Sequence, residues 1–268
     1  MKKAAIAIIQ ARMSSSRLPG KVLKPLAGKA MIWHIYQRAL RCELVDKVII
    51  ATSNEVSDDP LALFCEENNL NVFRGDLNNV LSRFLDILEK YPHPYFVRIT
   101  GDCSLICPAF IDQQITALYK FDGDVTWSER SCASLEGQGV QSSRSLFYID
   151  EKTTDPEDLE HVGSKYLAEN PDEFRIVEMD IPENLCVNKY RLTVDEKNDY
   201  RLIKTLYDNL YSSEPIDLSD ALIWLDNHLD IADVNKNVVH KKLNIELEEK
   251  RSLWAEIPKA GIYRWSKL

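Results

Sequence analysis

No stretch of this 268-residue chain approaches the roughly 20 consecutive apolar residues of a membrane-spanning helix. The apolar start, Ala4 to Ile9 behind Met1-Lys2-Lys3, is shorter than a signal-peptide core and is interrupted by Gln10 and Arg12. The expectation is a cytoplasmic protein that engages no membrane. An excess of positive charge is missing too: 33 Lys and Arg face 42 Asp and Glu, a net charge of −9. That balance argues against general nucleic-acid binding, which depends on neutralising phosphates. It leaves room for a local basic pocket that takes a small anion. The six cysteines, at 42, 65, 103, 107, 132 and 186, come with no export signal and are expected to be reduced thiols. Cys103-x3-Cys107 has a metal-like spacing, but the second half of a zinc site is lacking. There is no internal repeat and no low-complexity tract. What is present, 45% hydrophobic and 28% charged residues, suffices for a sizeable core in one α/β domain with at most a small appendage.

The hydrophobic pattern alternates between two periods. Ala4–Ile9 is a continuous apolar run, as in a strand buried on both faces. Met31–Leu40 puts Ile32, Ile35, Tyr36, Ala39 and Leu40 on one helical face. Lys47–Thr52, Leu70–Phe73 and Tyr95–Ile99 read as further strands. The helices between them start at Asp58, read as a cap with Pro60 in the first turn, and around Val80–Leu88; another opens at Pro108. Such alternation predicts βαβ units and a mostly parallel sheet, with ligands beyond the carboxyl ends of the strands. Gln10–Lys21 and Thr100–Cys107 then share one rim. Ser128–Arg144 is expected to be irregular, within an inserted acceptor or dimer segment of about 122–155. Glu157–Glu169 reads as a helix, Tyr190–Val194 as a strand and Asn198–Leu210 as an amphipathic helix. The nucleotide-handling domain is placed at 1–229. A C-terminal helical and aromatic extension at 230–268 ends with Trp254, Tyr263 and Trp265, which suggest docking.

The segment with the most chemistry is Gln10-Ala-Arg12-Met-Ser14-Ser15-Ser16-Arg17-Leu-Pro19-Gly20-Lys21. Three cations and three hydroxyls follow a buried strand within a few residues. A triphosphate needs such converging donors: arginine suits bidentate phosphate contacts and lysine a point charge. Asp102 and Asp195 each follow an apolar run and can reach the rim. Mg²⁺ favours one or two carboxylates with phosphate oxygens and water. The bland alternative makes each aspartate a turn or helix cap; Asp199 belongs in the first turn of its helix.

The run from Ala11 to Ile35 resembles the N-terminal signature of the CMP-sugar synthetases, which include 3-deoxy-manno-octulosonate and acylneuraminate cytidylyltransferases; the spore-coat-polysaccharide type is the nearest look. The resemblance continues through Arg74-Gly75-Asp76, Val80-Leu-Ser-Arg83-Phe84, Arg98-Ile-Thr-Gly-Asp102, Glu160-His161-Val162 and Arg191-Leu-Thr-Val-Asp195. It implies a Rossmann-like nucleotidyltransferase fold and transfer of CMP from CTP to a sugar acid, with Mg²⁺ as cofactor, in surface polysaccharide biosynthesis. It implies that Arg12, Ser15, Arg17 and Lys21 bind the triphosphate. Arg74 and Arg83 would approach the base. Asp102 and Asp195 would hold the metal, and Arg12, Lys21 and Asp102 would carry catalysis. A homodimer is expected on the same ground, the Ser128–Ser145 segment packing on a second subunit.

Three positions depart from the family pattern: Ser104 stands where proline is usual, Asn79 replaces an aspartate, and Gly137-Gln-Gly139-Val-Gln141 lacks an acidic residue. They bear on the acceptor more than on the reaction type. His161 is a tempting base, but its neighbour Glu160 points to a different helix face and need not orient it, so a substrate hydrogen bond or a structural role fits better. Arg130, Arg144 and Arg175 are candidates for an acceptor carboxylate. The competing readings are a nucleotidyltransferase with another nucleotide or a sugar phosphate, a nucleotide-binding module without turnover, and a scaffold acting through the tail.

Overall fold

The computed structural model describes residues 3–130, 132–238 and 242–265; residues 239–241 and 266–268 of the expected extension lie outside them. At its centre is an eight-stranded sheet. The strands are Ala5–Gln10 (β1), Val45–Ser53 (β4), Val72–Gly75 (β5), Tyr95–Thr100 (β6), Val125–Trp127 (β7), Gln138–Ser142 (β8), Ile176–Asp180 (β9) and Gly261–Arg264 (β10). Pro25–Leu26 (β2) and Lys29–Ala30 (β3) form a separate small hairpin. The order is β10-β9-β7-β8-β6-β1-β4-β5, and only β8 runs antiparallel to its neighbours. The expected mostly parallel α/β sheet is present.

Helices cover both faces: Met31–Ala39 (α1), Asp59–Glu67 (α2), Val80–Lys90 (α3), Pro108–Phe121 (α4), Ser143–Lys152 (α5), Pro156–His161 (α6), Ser164–Glu169 (α7), Lys197–Leu210 (α8), Leu218–Asp226 (α9), Leu229–Ala232 (α10) and Lys242–Ser252 (α11). Strand side chains alternate between faces. Ala5, Ala7 and Ile9 of β1 therefore pack with α1, α4 and α8. Ile6 and Ile8 pack with Phe84 of α3, Leu146 of α5, Leu167 of α7 and Trp254. Among the described residues no helix is long and apolar enough to cross a membrane.

The structure corrects several expectations. Ser128–Arg144 is not irregular throughout, because Gln138–Ser142 forms β8 inside the sheet between β6 and β7. Its polar side chains hid it: Gln138 is buried because its own amide oxygen accepts from the Cys107 N–H and its carbonyl accepts from Gln114. Tyr190–Val194 is extended but joins no strand ladder; the Val194 N–H bonds the Asp102 carbonyl at 2.9 Å instead. Glu157–Glu169 is two helices, broken where Val162 and Gly163 take φ of 56° and 70°. A Cβ at Gly163 would lie 2.6 Å from Ile149. The third strand runs Val72–Gly75, two residues later than expected. Asp58 does not cap α2 through its side chain; its carboxylate accepts from the N–H groups of Met13 and Ser53. Two of the six cysteines are not free thiols: Cys132 and Cys186, 54 residues apart in sequence, form a disulfide. The fold brings these two distant loops together, which spacing could not reveal. The C-terminal aromatics lie in the body, with Trp254 buried, the Tyr263 hydroxyl on Gln113 and Trp265 stacked on Phe110.

Candidate active site

Two strands deliver the site. Gln10 ends β1 and Thr100 ends β6, and the two pair in register. The next N–H, of Gly101, donates to the Gln10 carbonyl at 2.8 Å. A Cβ at position 101 would stand 2.9 Å from that oxygen, so glycine permits the approach that sets the two rim loops side by side. The loop after β1 is closed by Gly20 N–H on the Met13 carbonyl at 2.9 Å and anchored by Met13 N–H on Asp58 at 2.7 Å. Gly20 has φ of 67°, the left-handed turn that sends Lys21 back under the loop. The N–H groups of Ser16 and Arg17 donate to no acceptor among the described residues.

Lys21 is the centre of the charge network. Its Nζ donates to Asp102 Oδ2 at 2.9 Å, to the Val194 carbonyl at 2.8 Å and to Asp195 Oδ1 at 3.0 Å. Burial opposes its charge, but Asp102 and Asp195 outweigh burial and hold the ammonium above its ordinary pKa. Burial would likewise raise Asp102, yet Lys21 keeps it below the usual carboxylate range. Arg17 pairs with Asp195 at 2.9 Å and Glu196 at 3.3 Å, and Arg12 with Glu160 at 3.1 Å. Asp195 is no helix cap: Glu196 and Asp199 form the capping box of α8. Asp199 lies in the first turn, as expected, and its Oδ2 accepts from the N–H groups of Asp195 and Glu196, which fixes the aspartate that faces Lys21.

Arg12, Ser15, Arg17, Lys21, Arg83, Asp102 and Asp195 all line one cleft of about 720 Å³. The two aspartates fit a divalent cation. Each presents an oxygen about 3 Å from one cationic nitrogen, so both face a common point. No group of three or more His, Cys, Asp or Glu side chains that could hold a metal occurs among the described residues. Two carboxylates with phosphate oxygens and water meet the preference of Mg²⁺.

The structure does not bring every expected residue to the cleft. Arg74 is turned to Asp59, the Ser53 carbonyl and the Glu55 carbonyl. Arg144 pairs with Asp122 and Asp124, and Arg175 bonds the Phe121 carbonyl. Arg130 lines the cleft but bonds the Ile181 carbonyl and faces Glu183. His161 lines it as well, and its carbonyl accepts from Arg98 at 2.8 Å. Glu160 pairs with Arg12.

Two cleft arginines were assigned no role from the sequence. Arg98 sits in the middle of β6, where a charge interrupts an otherwise apolar strand; that interruption was the available signal. Arg251 arrives from the end of α11 and lines the same cleft, with no local signature. Burial, with the nearby Arg251 charge, lowers the Arg98 pKa to about 10.

A cytidylyltransferase family model matches residues 6–221. The chain is 31% identical over 229 residues to the spore coat polysaccharide biosynthesis protein SpsF of Bacillus subtilis, covering 84% of this chain and 95% of that one. It is 38% identical over 112 residues to a 3-deoxy-manno-octulosonate cytidylyltransferase of Pelobacter propionicus, which covers 42% of this chain and 43% of that one. Among solved structures, a cytidylyltransferase from Leptospira borgpetersenii superposes with a TM-score of 0.80 at 27% identity, covering 90% of this chain and all of that one. CMP:2-keto-3-deoxy-manno-octonic acid synthetase complexed with CTP shares the fold, with a TM-score of 0.55 at 19% identity, over 76% of this chain and 98% of that one. The residues that gather on Lys21 thus lie within a stretch that matches as a whole, and the chain belongs to the cytidylyltransferase family.

Proposed function

We propose that the protein transfers CMP from CTP to a sugar acid, releasing pyrophosphate, in the biosynthesis of a surface polysaccharide. The observation that carries this reading is Lys21, whose ammonium joins the loop cations to Asp102 and Asp195 at a single point of the cleft. The names of two relatives, a spore coat polysaccharide protein and a 3-deoxy-manno-octulosonate cytidylyltransferase, support the acceptor class. Arg83 supports a base that carries a ring carbonyl, as cytosine does. Its buried guanidinium has only long bonds, 3.4 Å to the Ala51 carbonyl and 3.3 Å to the Leu77 carbonyl, and its Nε has no partner. A base carbonyl would satisfy those donors.

In this reading an acceptor hydroxyl attacks the α-phosphorus, the bond to the β-phosphate oxygen breaks, and pyrophosphate leaves. Arg12, Arg17 and Lys21, with the Ser16 and Arg17 N–H groups, bind the triphosphate and neutralise the charge that grows on the leaving group. Asp102 and Asp195 would hold Mg²⁺, which would supply polarisation of the α-phosphate. Lys21 gives up at least one of its three acceptors, Asp102, Asp195 or the Val194 carbonyl, if it contacts the nucleotide, because all three ammonium protons are already engaged. The test is pyrophosphate release with each of the four nucleoside triphosphates against a panel of sugar acids and sugar 1-phosphates. CTP with a sugar acid should give the highest rate. Release only with a different nucleotide or with a sugar 1-phosphate would overturn the proposal.

A further inference from the structure

Arg98 is a guanidinium without a carboxylate. Its Nε and Nη2 donate to Gln10 Oε1 at 3.3 and 3.2 Å, and its Nη1 donates to the His161 carbonyl and Ser164 Oγ at 2.8 Å each. All three acceptors are neutral, and no acidic oxygen lies in ion-pair contact with it among the described residues. The side chain is half-buried, and withdrawing a charge from water with no counter-charge in contact is costly; that desolvation, with Arg251 nearby, lowers its pKa. Other cleft cations are compensated differently: Arg12 has Glu160, Arg17 has Asp195 and Glu196, and Lys21 has two aspartates.

The position of Arg98 separates it from the triphosphate loop. It lies two residues inward of Thr100 on β6, so roughly 6–7 Å below the rim, on the face shared with Gln10. Gly139 of β8 pairs with it in register. A Cβ built on Gly139 meets nothing within 4 Å, so open space lies beside the Arg98 position, and both residues line the cleft. Trp127, Leu167 and Trp254 wall this part of the cleft, and Arg251 adds a second cation to it. The Trp127 indole N–H bonds the Arg251 carbonyl at 3.0 Å, which ties the C-terminal segment to that wall.

We propose that Arg98 and Arg251, across the gap left by Gly139, form the subsite that takes the carboxylate of the acceptor, with Trp127 and Trp254 flanking its carbon skeleton. This rests on the function proposed above and assigns the acceptor side of it to a strand arginine and to the C-terminal segment. A planar guanidinium with one donor still unused matches a carboxylate, and the missing side chain at 139 leaves room for one.

The experiment measures pyrophosphate release by the full chain with CTP and 3-deoxy-manno-octulosonate or N-acetylneuraminate, whichever turns over. Gly139→Val fills the gap without touching Arg98, and Arg98→Lys keeps the charge but loses the fork. Each should raise the acceptor KM by about tenfold or more while the CTP KM stays within about twofold. Arg251→Ala should do the same in smaller measure. Because Arg98 also holds the His161 carbonyl, its variant is read only if its unfolding midpoint is unchanged; Gly139→Val decides otherwise. An unchanged acceptor KM in Gly139→Val and Arg251→Ala overturns the subsite. So does a rise confined to the CTP KM, which would assign the arginines to the nucleotide. No release by the unaltered protein with any sugar acid would instead overturn the function on which the subsite rests.

Discussion

One ammonium ion organises the chemistry of the cleft. Lys21 holds Asp102 and Asp195 together, and Arg17 shares Asp195 with it. Lys21→Ala and Arg17→Ala should each lower turnover by roughly 10²–10³, the usual cost of one transition-state contact. Their circular dichroism should match the parent protein, and near-parental rates in both would break the assignment of the triphosphate loop. The aspartates are expected to act as a unit. Asp102→Asn/Asp195→Asn should be little slower than the worse single variant. Since Asp195 caps no helix, Asp195→Asn has no stabilising cap to preserve, and a silent substitution would leave Asp102 as the sole metal carboxylate. In the same assay excess EDTA should abolish release and Mg²⁺ restore it; undiminished activity in EDTA would exclude the metal.

At the scale of elements, the strand ends present loops, and one covalent bond ties two of those loops. Cys132–Cys186 links the segment after β7 to the segment after β9. Its surroundings repeat the link without covalency: Ser134 N–H bonds the Val187 carbonyl at 3.0 Å, and Val187 N–H bonds Ser134 Oγ at 3.0 Å. Closing a loop of 54 residues is worth about 4 kcal/mol in the chain-entropy account. Reduction by dithiothreitol should therefore lower the thermal midpoint, and Cys132→Ser/Cys186→Ser should remove that sensitivity. Equal midpoints with and without reductant would show that the backbone bonds suffice. Cys132 also lines the cleft, so reduction should be followed in the acceptor KM as well as in stability.

For the whole molecule, the net charge of −9 contrasts with a cleft where Arg12, Arg17, Lys21, Arg83, Arg98 and Arg251 converge. An acidic surface with one basic cleft favours a small anion over a polyanion. We expect a homodimer in solution, from the family resemblance alone. The segment first expected to make its contact now contributes β8 to the middle of the sheet, where both edges are already paired. Light scattering should give twice the mass of the chain at micromolar concentration; a single-chain mass throughout that range would refute it.

The local sequence determined the alternation of strand and helix, the buried character of β1 and the loop that carries Arg12, Arg17 and Lys21, because each depends on residue order within a short window. It also supplied the two aspartates through a resemblance that spans most of the chain. The tertiary structure decided what windows cannot contain. β8 is a strand because the buried Gln138 finds partners in α4 and the loop before it, and Tyr190–Val194 joins no ladder. Arg74 left the cleft because Asp59 and two carbonyls lie closer, whereas Arg98 entered it because β6 points it to the side that Gly139 leaves open. Arg251 and the Cys132–Cys186 bond come from segments far apart in the chain. Long-range contacts between such segments depend on where the sheet puts them, and no local pattern records that.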